Sequence, residues 1–254
     1  MEPTPLSTKF NCNTESNNSR KNKARKEILE KKKRMDELIK AACAKKDHLA
    51  SFPSFSNFDK NGLSVVLKSG SGDKLSSSVK RHLQKILKDN MERHYTDEWA
   101  TEEKVKRREL VAPEARYIFV YEASHNHDVN NNDMMLDKGE SHLPVGFVQY
   151  RFTLEEEIPV LYVYEIQLES CVQGRGLGKI LMRLIELIAQ KNCMSAVILT
   201  VQKANVVAMD FYTTKLGYTI SSISPSRVDP LMGVEMSYEI LCKVFDSEAK
   251  AILE

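Results

Sequence analysis

A glycine-rich turn has the clearest chemical potential in this sequence. It reads QGRGLG from Gln173 to Gly178 and lies between a predicted strand and a long amphipathic helix. Glycines let the backbone approach a ligand closely, and a helix start offers free N–H groups and the positive end of the helix dipole, which suits a pyrophosphate. The spacing fits neither the G-x-G-x-x-G dinucleotide fingerprint nor the G-x-x-x-x-G-K-[ST] phosphate loop. Taken alone, the turn is also compatible with a plain tight turn.

A carboxylate inside an apolar and aromatic segment is the second candidate. The segment VLYVYEIQLE, from Val160 to Glu169, predicts a strand because β-branched and aromatic residues predominate in it. Glu165 is therefore a candidate catalytic base. Strict alternation places it on the face opposite Tyr162 and Tyr164, so an outward-facing strand carboxylate is the alternative interpretation.

The patterns around these two segments predict an α+β fold with a single mixed, mainly antiparallel sheet flanked by helices. Helical spacing of apolar residues predicts a helix from Ser76 to Tyr95 and a second one up to about Leu110. An antiparallel meander then leads into a β-α-β-α-β tail. The predicted strands are Leu63–Leu67, Arg116–Glu122, Val145–Phe152, Val160–Glu169, Ala196–Val201, Tyr218–Ser221 and Ser237–Leu241. A further helix is predicted at Asn205–Leu216.

The N-terminal region differs in composition from the remaining domain, residues 49–254. Residues 1–19 are rich in Asn, Ser and Thr and are expected to be disordered. Residues 20–48 predict a basic amphipathic helix, with twelve Lys and Arg against four Asp and Glu between Arg20 and Lys46. Its basic face is expected to contact nucleic acid or ribosomal RNA, or to serve as a nuclear import signal. The alternative is a solvated basic face with the apolar stripe packed on the domain, and the two interpretations are compatible.

The overall composition excludes several classes of protein. The 254 residues are 42% hydrophobic and 28% charged, which excludes a collagen-like or wholly disordered chain. The five cysteines are scattered without a C-x-x-C pair, and His125 and His127 have no further ligands nearby, so no metal is expected. No segment approaches the roughly 18 apolar residues of a membrane helix. We expect a protein of cytoplasm and nucleus that has no membrane partner.

The glycine-rich turn resembles the Q/R-x-x-G-x-G/A acetyl-CoA loop of the GNAT acetyltransferase superfamily, through Gln173, Gly176 and Gly178. A second segment, Asn205–Tyr218, is similar to the block that follows in that family. The resemblance implies a GNAT fold, acetyl-CoA as co-substrate, and a bulge that turns Glu165 toward the cleft. It also implies a set of cofactor-binding residues, namely Ile166, Gln167, Leu168, Gln173, Gly174, Arg175, Gly176, Leu177, Gly178, Lys179 and Asn205.

Tyr212 stands where many GNAT enzymes have the tyrosine that protonates the departing thiolate. A core tyrosine on an amphipathic helix is the competing interpretation, and the sequence does not decide between the two.

Further segments resemble the NatD family of histone-specific N-terminal acetyltransferases: Ser51–Leu63, Tyr95–Trp99, Val160–Ser170, Gly176–Lys179 and Ser237–Leu241. This resemblance implies transfer to the α-amine of histone four and histone two-A tails that begin Ser-Gly-Arg-Gly, with Glu165 as the base. Broader N-termini, lysine targets or a non-catalytic binding module are the alternatives. The implied substrate-binding residues are Tyr95, Trp99, Thr153, Leu154, Glu155, Tyr162, Tyr164, Thr200 and Tyr238.

The sequence departs from the NatD pattern at Thr153, where that family has an acidic residue. Glu155 is the neighbouring carboxylate that could compensate, by pairing with the arginine of the substrate together with Glu156 and Glu157. A solvated turn is the other interpretation of the three glutamates.

Overall fold

The computed structural model describes residues 13–123, 143–233 and 235–254. Within these residues eight strands form one sheet in the order β1-β2-β3-β4-β5-β6-β8-β7. Among neighbouring strands only β5 and β6 run parallel, so the predicted mixed, mainly antiparallel α+β sheet is confirmed. The strands are β1 Asn57–Lys60, β2 Leu63–Ser71, β3 Arg116–Glu122, β4 Gly146–Glu155, β5 Ile158–Leu168, β6 Ala196–Gln202, β7 Thr219–Ile220 and β8 Tyr238–Val244.

Helices cover both faces of this sheet. One face packs against α4 and the C-terminal part of α1, and the other against α2 and α3 over β3 and β4 and against α7 over β6 and β8. The helices are α1 Asn13–Ala44, α2 Ser77–Tyr95, α3 Trp99–Leu110, α4 Leu177–Lys191, α5 Val206–Asp210, which continues as a π-helical turn over Phe211–Lys215, α6 Pro225–Val228 and α7 Ser247–Leu253.

The main core lies between α4 and the sheet. The helix presents a broad apolar face, because its Leu and Ile residues recur at helical spacing, and that face is buried. It packs against alternate residues of the central strands, among them Val148, Leu161 and Leu199. The glycine-rich turn precedes α4 directly, so this packing fixes the position of the turn relative to β5.

The N-terminal helix is longer than predicted at its start and shorter at its end. It begins at Asn13, within the segment 1–19 for which the sequence predicts disorder, and residues 1–12 lie outside the described residues. Once nucleated, a helix gains one hydrogen bond for each residue added, which explains its extension through weak helix formers. It ends at Ala44 and not at residue 48, where the chain turns so that His48 and Leu49 become buried.

The structure also bears on metals and membranes, within the ranges given above. No helix there is long and apolar enough to cross a bilayer. No group of three or more His, Cys, Asp or Glu side chains in those ranges is arranged to hold a metal ion. His125 and His127 lie outside them.

Candidate active site

A cleft of about 1690 Å³ opens where β5 and β6 separate. The two strands pair only from Val160 with Ala196 to Val163 with Leu199. Beyond that point β6 continues its pairing with β8, while β5 continues with β4. The β6-facing backbone edge of residues 164–168 therefore has no strand partner among the described residues and borders the cleft.

A bulge in β5 sets the direction of Glu165. Gln149 of β4 pairs with Glu165 and the next residue, Tyr150, pairs with Val163, so Tyr164 is one extra residue in β5. A bulge of this kind resets the alternation of the strand. Glu165 therefore lies on the same face of the sheet as Tyr162, which removes the conflict with strict alternation. The bulge implied by the GNAT resemblance is present.

Glu165 is buried and held by two donors. Its side chain is 6% exposed, and the Nζ of Lys106, whose side chain is 11% exposed, lies 2.5 Å from Oε1. The other oxygen, Oε2, accepts a hydrogen bond of 2.8 Å from Nε2 of Gln167. Burial lowers the pKa of Lys106, but the negative charge of Glu165 and the interaction with the hydroxyl group of Tyr95 outweigh this effect, so the pKa stands above its ordinary value.

Two more side chains, Tyr95 on α2 and Glu109 on α3, lie near the ion pair of Lys106 and Glu165. The Nζ of Lys106 lies 5.4 Å from the ring centroid of Tyr95. Burial raises the pKa of Tyr95, and burial also raises that of Glu109, which lines the cleft. The wall beside Glu165 thus combines one ammonium, two carboxyl groups and one phenol.

The glycine-rich turn has the geometry of a backbone ligand site. Gly174 and Gly176 have φ angles of 72° and 87°, and Gly176 is the residue that caps the N-terminus of α4. Because only glycine adopts this left-handed conformation readily, the turn can present the first N–H groups of α4 to the cleft. Gln173 anchors the turn, since its Nε2 donates to the carbonyl oxygen of Leu168 at 2.8 Å.

Two residues of the turn do not reach the cleft with their side chains. The guanidinium of Arg175 donates to the carbonyl oxygen of Gly62 at 2.9 Å, and Asn61 donates back to the carbonyl oxygen of Arg175. Arg175 thus ties the turn to the connection between β1 and β2. Leu177 is buried in the main core, as the first apolar residue of α4. Both residues are available to a cofactor through their backbone alone.

Asn205 and Tyr212 line the cleft from α5 and the turn that follows it. The Oδ1 of Asn205 accepts from the N–H of Ala208 at 3.1 Å, so Asn205 caps α5. Tyr212 lies in the π-helical turn, a feature frequent at functional sites, and is 6% exposed. Burial, together with the negative charge of Glu165, raises its pKa. The phenol therefore stays protonated near neutral pH, and its position satisfies both the core and the proton-donor interpretation.

Most of the predicted substrate-binding residues line the cleft. The hydroxyl groups of Tyr162 and Thr200 are 2.6 Å apart, and burial raises the pKa of Tyr162 to about 12. The guanidinium carbon of Arg151 lies 4.2 Å from the ring centroid of Tyr164. The predicted residues that line the cleft are Tyr95, Glu155, Tyr162, Tyr164, Thr200 and Tyr238.

Three predicted substrate-binding residues do not line the cleft. Trp99 is 5% exposed and packs in the core between α2, α3 and the sheet, because it begins α3 with its ring turned inward. Leu154 follows Thr153 on β4, and alternation turns it to the other face of the sheet. Thr153 pairs with Val160, in the part of β5 that is still paired with β6. Thr153 is therefore half-buried outside the cleft.

Residues 83–218, more than half of the chain, match the model of the acetyltransferase (GNAT) family. The chain belongs to the GNAT acetyltransferase family. The strand separation, the bulge and the glycine-rich turn of this GNAT protein all lie within the matched residues. The predicted GNAT fold is thus confirmed.

Solved structures from several organisms are similar to this chain. Arabidopsis thaliana NAA60 in complex with a bisubstrate analogue is 12% identical over 71% of this chain and 100% of its own, with a TM-score of 0.46. An N-acetyltransferase, PaiA, of Thermoplasma acidophilum in complex with coenzyme A is 16% identical over 72% and 100%, with a TM-score of 0.47. A GNAT acetyltransferase of Listeria monocytogenes is 10% identical over 74% and 99%, with a TM-score of 0.46.

Sequence reasoning missed Lys106 and Glu109 in this GNAT protein. Seven of the twelve residues of α3 are charged, so nothing in the pattern separates these two from their solvent-facing neighbours. Lys106 and Glu109 are three residues apart, so they share a helix face with the apolar Leu110. This shared face is the only indication in the sequence that the two side chains are buried.

Proposed function

We propose that this GNAT protein transfers the acetyl group of acetyl-CoA to the free α-amine of histone tails that begin Ser-Gly-Arg-Gly. The observation that carries the proposal is the excess of carboxyl groups in the lining of the cleft. The lining holds seven Asp and Glu side chains against four Lys and Arg. The resemblance of the five segments to NatD supports the same substrate.

The glycine-rich end suits the diphosphate of acetyl-CoA. Lys179 and Lys215 line the cleft, and both also line a neighbouring cavity of about 260 Å³. The N–H groups at the start of α4 add hydrogen bonds and the positive end of the helix dipole. The unpaired edge of residues 166–168 can hold the pantetheine arm, and the bound thioester supplies the activated acetyl group.

The acidic lining of the cleft suits a basic peptide. Besides Asp89 and Glu165, its carboxyl groups are those of Glu98, Glu102, Glu109, Glu155 and Glu235. Glu155 is half-buried, and burial raises its pKa, with a further contribution from the charge of Glu156. An arginine of the substrate would offset that cost by charge-assisted hydrogen bonds to the carboxylate. Glu156 and Glu157 form the exposed turn between β4 and β5, so Glu155 is the member of the three that lines the cleft.

The proposed chemistry is direct attack of the amine nitrogen on the thioester carbonyl. A C–N bond forms and the C–S bond breaks, with the amine proton passing to Glu165 and the leaving thiolate taking a proton from Tyr212. An α-amine has a pKa of about 7.7 to 8.0, against about 10.4 for a lysine side chain, so a carboxylate suffices as the base. Backbone N–H groups on the β5 edge would stabilise the oxyanion.

Mass spectrometry of a peptide mixture with acetyl-CoA tests this proposal. The mixture holds Ser-Gly-Arg-Gly, its α-blocked form, Ser-Gly-Glu-Gly and unrelated N-termini. We expect modification of the free α-amine of Ser-Gly-Arg-Gly, with a kcat/KM at least about 10-fold above that of Ser-Gly-Glu-Gly. The glutamate of the second peptide would place its carboxylate against that of Glu155, and two like charges in contact cost several kcal/mol. Glu155→Gln should reduce this ratio, and the exposed-turn control Glu157→Gln should not.

Two results would contradict the substrate assignment. Acetylation of the α-blocked peptide would show a lysine target, and equal rates on unrelated N-termini would show a broad N-terminal acetyltransferase. Either result leaves the acetyl-CoA site and the GNAT family unaffected.

The N-terminal part of α1 supports a second proposal, an arm that binds nucleic-acid phosphates in the ribosome or in chromatin. Leu38 and Ile39 pack on the main core, whereas residues 22–30 are all exposed. The segment from Arg20 to Arg34 carries nine Lys and Arg against two Glu. This arm would place the protein in cytoplasm and nucleus.

Filter binding to a short RNA or DNA duplex at several salt concentrations tests the arm. We expect an affinity that falls as salt rises, and a shallower salt dependence when Lys32, Lys33 and Arg34 are replaced by Glu, because each lost phosphate contact reduces the slope by about one. An unchanged slope would remove nucleic acid as the partner of α1.

A further inference from the structure

Glu165 forms a buried ion pair with Lys106, and Lys106 has no role in the reaction as proposed above. Both side chains are nine-tenths buried or close to it, at 11% and 6% exposed. Removing two charges from water is costly, and well-packed apolar residues often replace such a pair without loss of stability. The pair is therefore a poor device for stabilising α3 on the sheet, and its place in the cleft indicates a role in the chemistry.

A continuous set of hydrogen bonds fixes the carboxylate of Glu165 between two helices. Nδ2 of Asn90 on α2 donates to Oε1 of Gln167 at 2.9 Å and to the carbonyl oxygen of Leu168 at 3.0 Å. Gln167 in turn donates to Oε2 of Glu165, and Lys106 on α3 donates to Oε1. Among the residues that the structure describes, each carboxylate oxygen thus has one hydrogen-bond donor, and each keeps a lone pair for a group in the cleft.

The charged and titratable groups around the pair come from every element packed on it. They are Tyr95 on α2, Glu109 on α3, Tyr117 on β3, Arg151 on β4 and Tyr212 after α5. The pKa of Lys106 is raised above its ordinary value by Glu165 and Tyr95, against the effect of burial. Lys106 therefore remains an ammonium near neutral pH and can serve neither as a base nor as an acetyl acceptor.

We propose that Lys106 is a positioning residue, which holds the carboxylate of Glu165 toward the substrate amine. This inference rests on the proposed function, because it assigns Glu165 as the base. Lys106 itself touches neither the reacting nitrogen nor the thioester. Its ammonium orients Oε1 so that the free lone pair points into the cleft, where the proton of the amine must be received.

A double-mutant cycle on the full chain tests this role, with Lys106→Met, Glu165→Gln and the double variant. We expect Lys106→Met to lower kcat about 10- to 100-fold, part of the contribution typical of a general base, while KM for acetyl-CoA changes less than about 3-fold. In the Glu165→Gln background the same change should lower kcat less than about 3-fold, because residues that act as a unit are not additive.

Three further variants separate positioning from a general effect on folding. Lys104→Met removes an exposed lysine of the same helix and should leave kcat unchanged. Lys106→Arg retains the charge and should restore part of the kcat lost in Lys106→Met. If Lys106→Met does not fold, Lys106→Gln replaces it in the cycle, and the melting temperature is recorded for every variant.

The outcomes distinguish this inference from the proposed function. Equal loss of kcat from Lys106→Met in both backgrounds would overturn the role of Lys106 and leave Glu165 as the base. Wild-type turnover of Glu165→Gln would overturn the base itself, and the role of Lys106 with it. A loss confined to the melting temperature, with kcat unchanged, would show that Lys106 is structural.

Discussion

Glu165→Gln is expected to lower kcat by about 100-fold or more at saturating acetyl-CoA, the range that a general base contributes. The amide cannot accept the proton of the substrate amine, although it keeps the shape of the carboxylate. Acetyl-CoA affinity should stay within about 3-fold of wild type, because the glycine-rich turn and Lys179 are untouched. The measurement is steady-state kinetics on Ser-Gly-Arg-Gly peptide together with calorimetric titration of acetyl-CoA.

The same variant should also lower the melting temperature, because it leaves the buried ammonium of Lys106 without its counter-charge. The Gln side-chain oxygen can still accept the hydrogen bond from Nζ, so we expect the fold to persist. The kinetic comparison therefore needs a control variant that also disrupts a buried ion pair and loses stability.

Glu186→Gln provides that control. Glu186 is a buried carboxylate of α4, with Nζ of Lys243 at 2.9 Å and a nitrogen of Arg183 at 3.2 Å, and it lies outside the cleft. Glu186→Gln should lower the melting temperature and leave kcat unchanged. A similar fall in kcat for both variants would mean that lost ionic packing, and not lost base catalysis, explains the result for Glu165→Gln.

Gly176→Val is expected to weaken acetyl-CoA binding by at least about 10-fold. Gly176 has a φ of 87°, and a β-branched residue in that conformation is strained by about 1 to 3 kcal/mol. Relief of the strain must move the turn, and with it the first N–H groups of α4. A loss of about 1.4 kcal/mol in binding corresponds to the tenfold change. Crowding is not the cause, since a Cβ at this position meets only Nδ2 of Asn61, at 3.7 Å.

Gly217→Val is the matched control for this substitution. Gly217 has a φ of 71°, and a Cβ there meets no described residue within 4 Å, but Gly217 does not line the cleft. Both variants should lose similar stability, and calorimetric titration should show weaker acetyl-CoA binding for Gly176→Val alone. Unchanged affinity in Gly176→Val would remove the turn from the cofactor site.

Much of the fold and part of the site could be predicted because they depend on local pattern. The strand Arg116–Glu122 has the predicted bounds, and α2 and β6 agree within a residue, because apolar spacing reports which face of an element is buried. Glycine spacing located the turn before α4, since the left-handed conformation is a local requirement. Strict alternation along β5 likewise showed that Glu165 would face away from Tyr162 and Tyr164. It did not show the bulge that turns Glu165 to the face of Tyr162.

Contacts between distant segments decided the rest. Lys106 reaches Glu165 across 59 residues of sequence, and Arg175 is drawn away from the cleft by Gly62, 113 residues before it. Trp99 became a core residue through the packing of α2 and α3 on the sheet. The sequence by itself determined the elements, the turn and the candidate base. Only the tertiary structure decided which side chains surround that base, because burial and ion pairing depend on packing between elements that no local pattern contains.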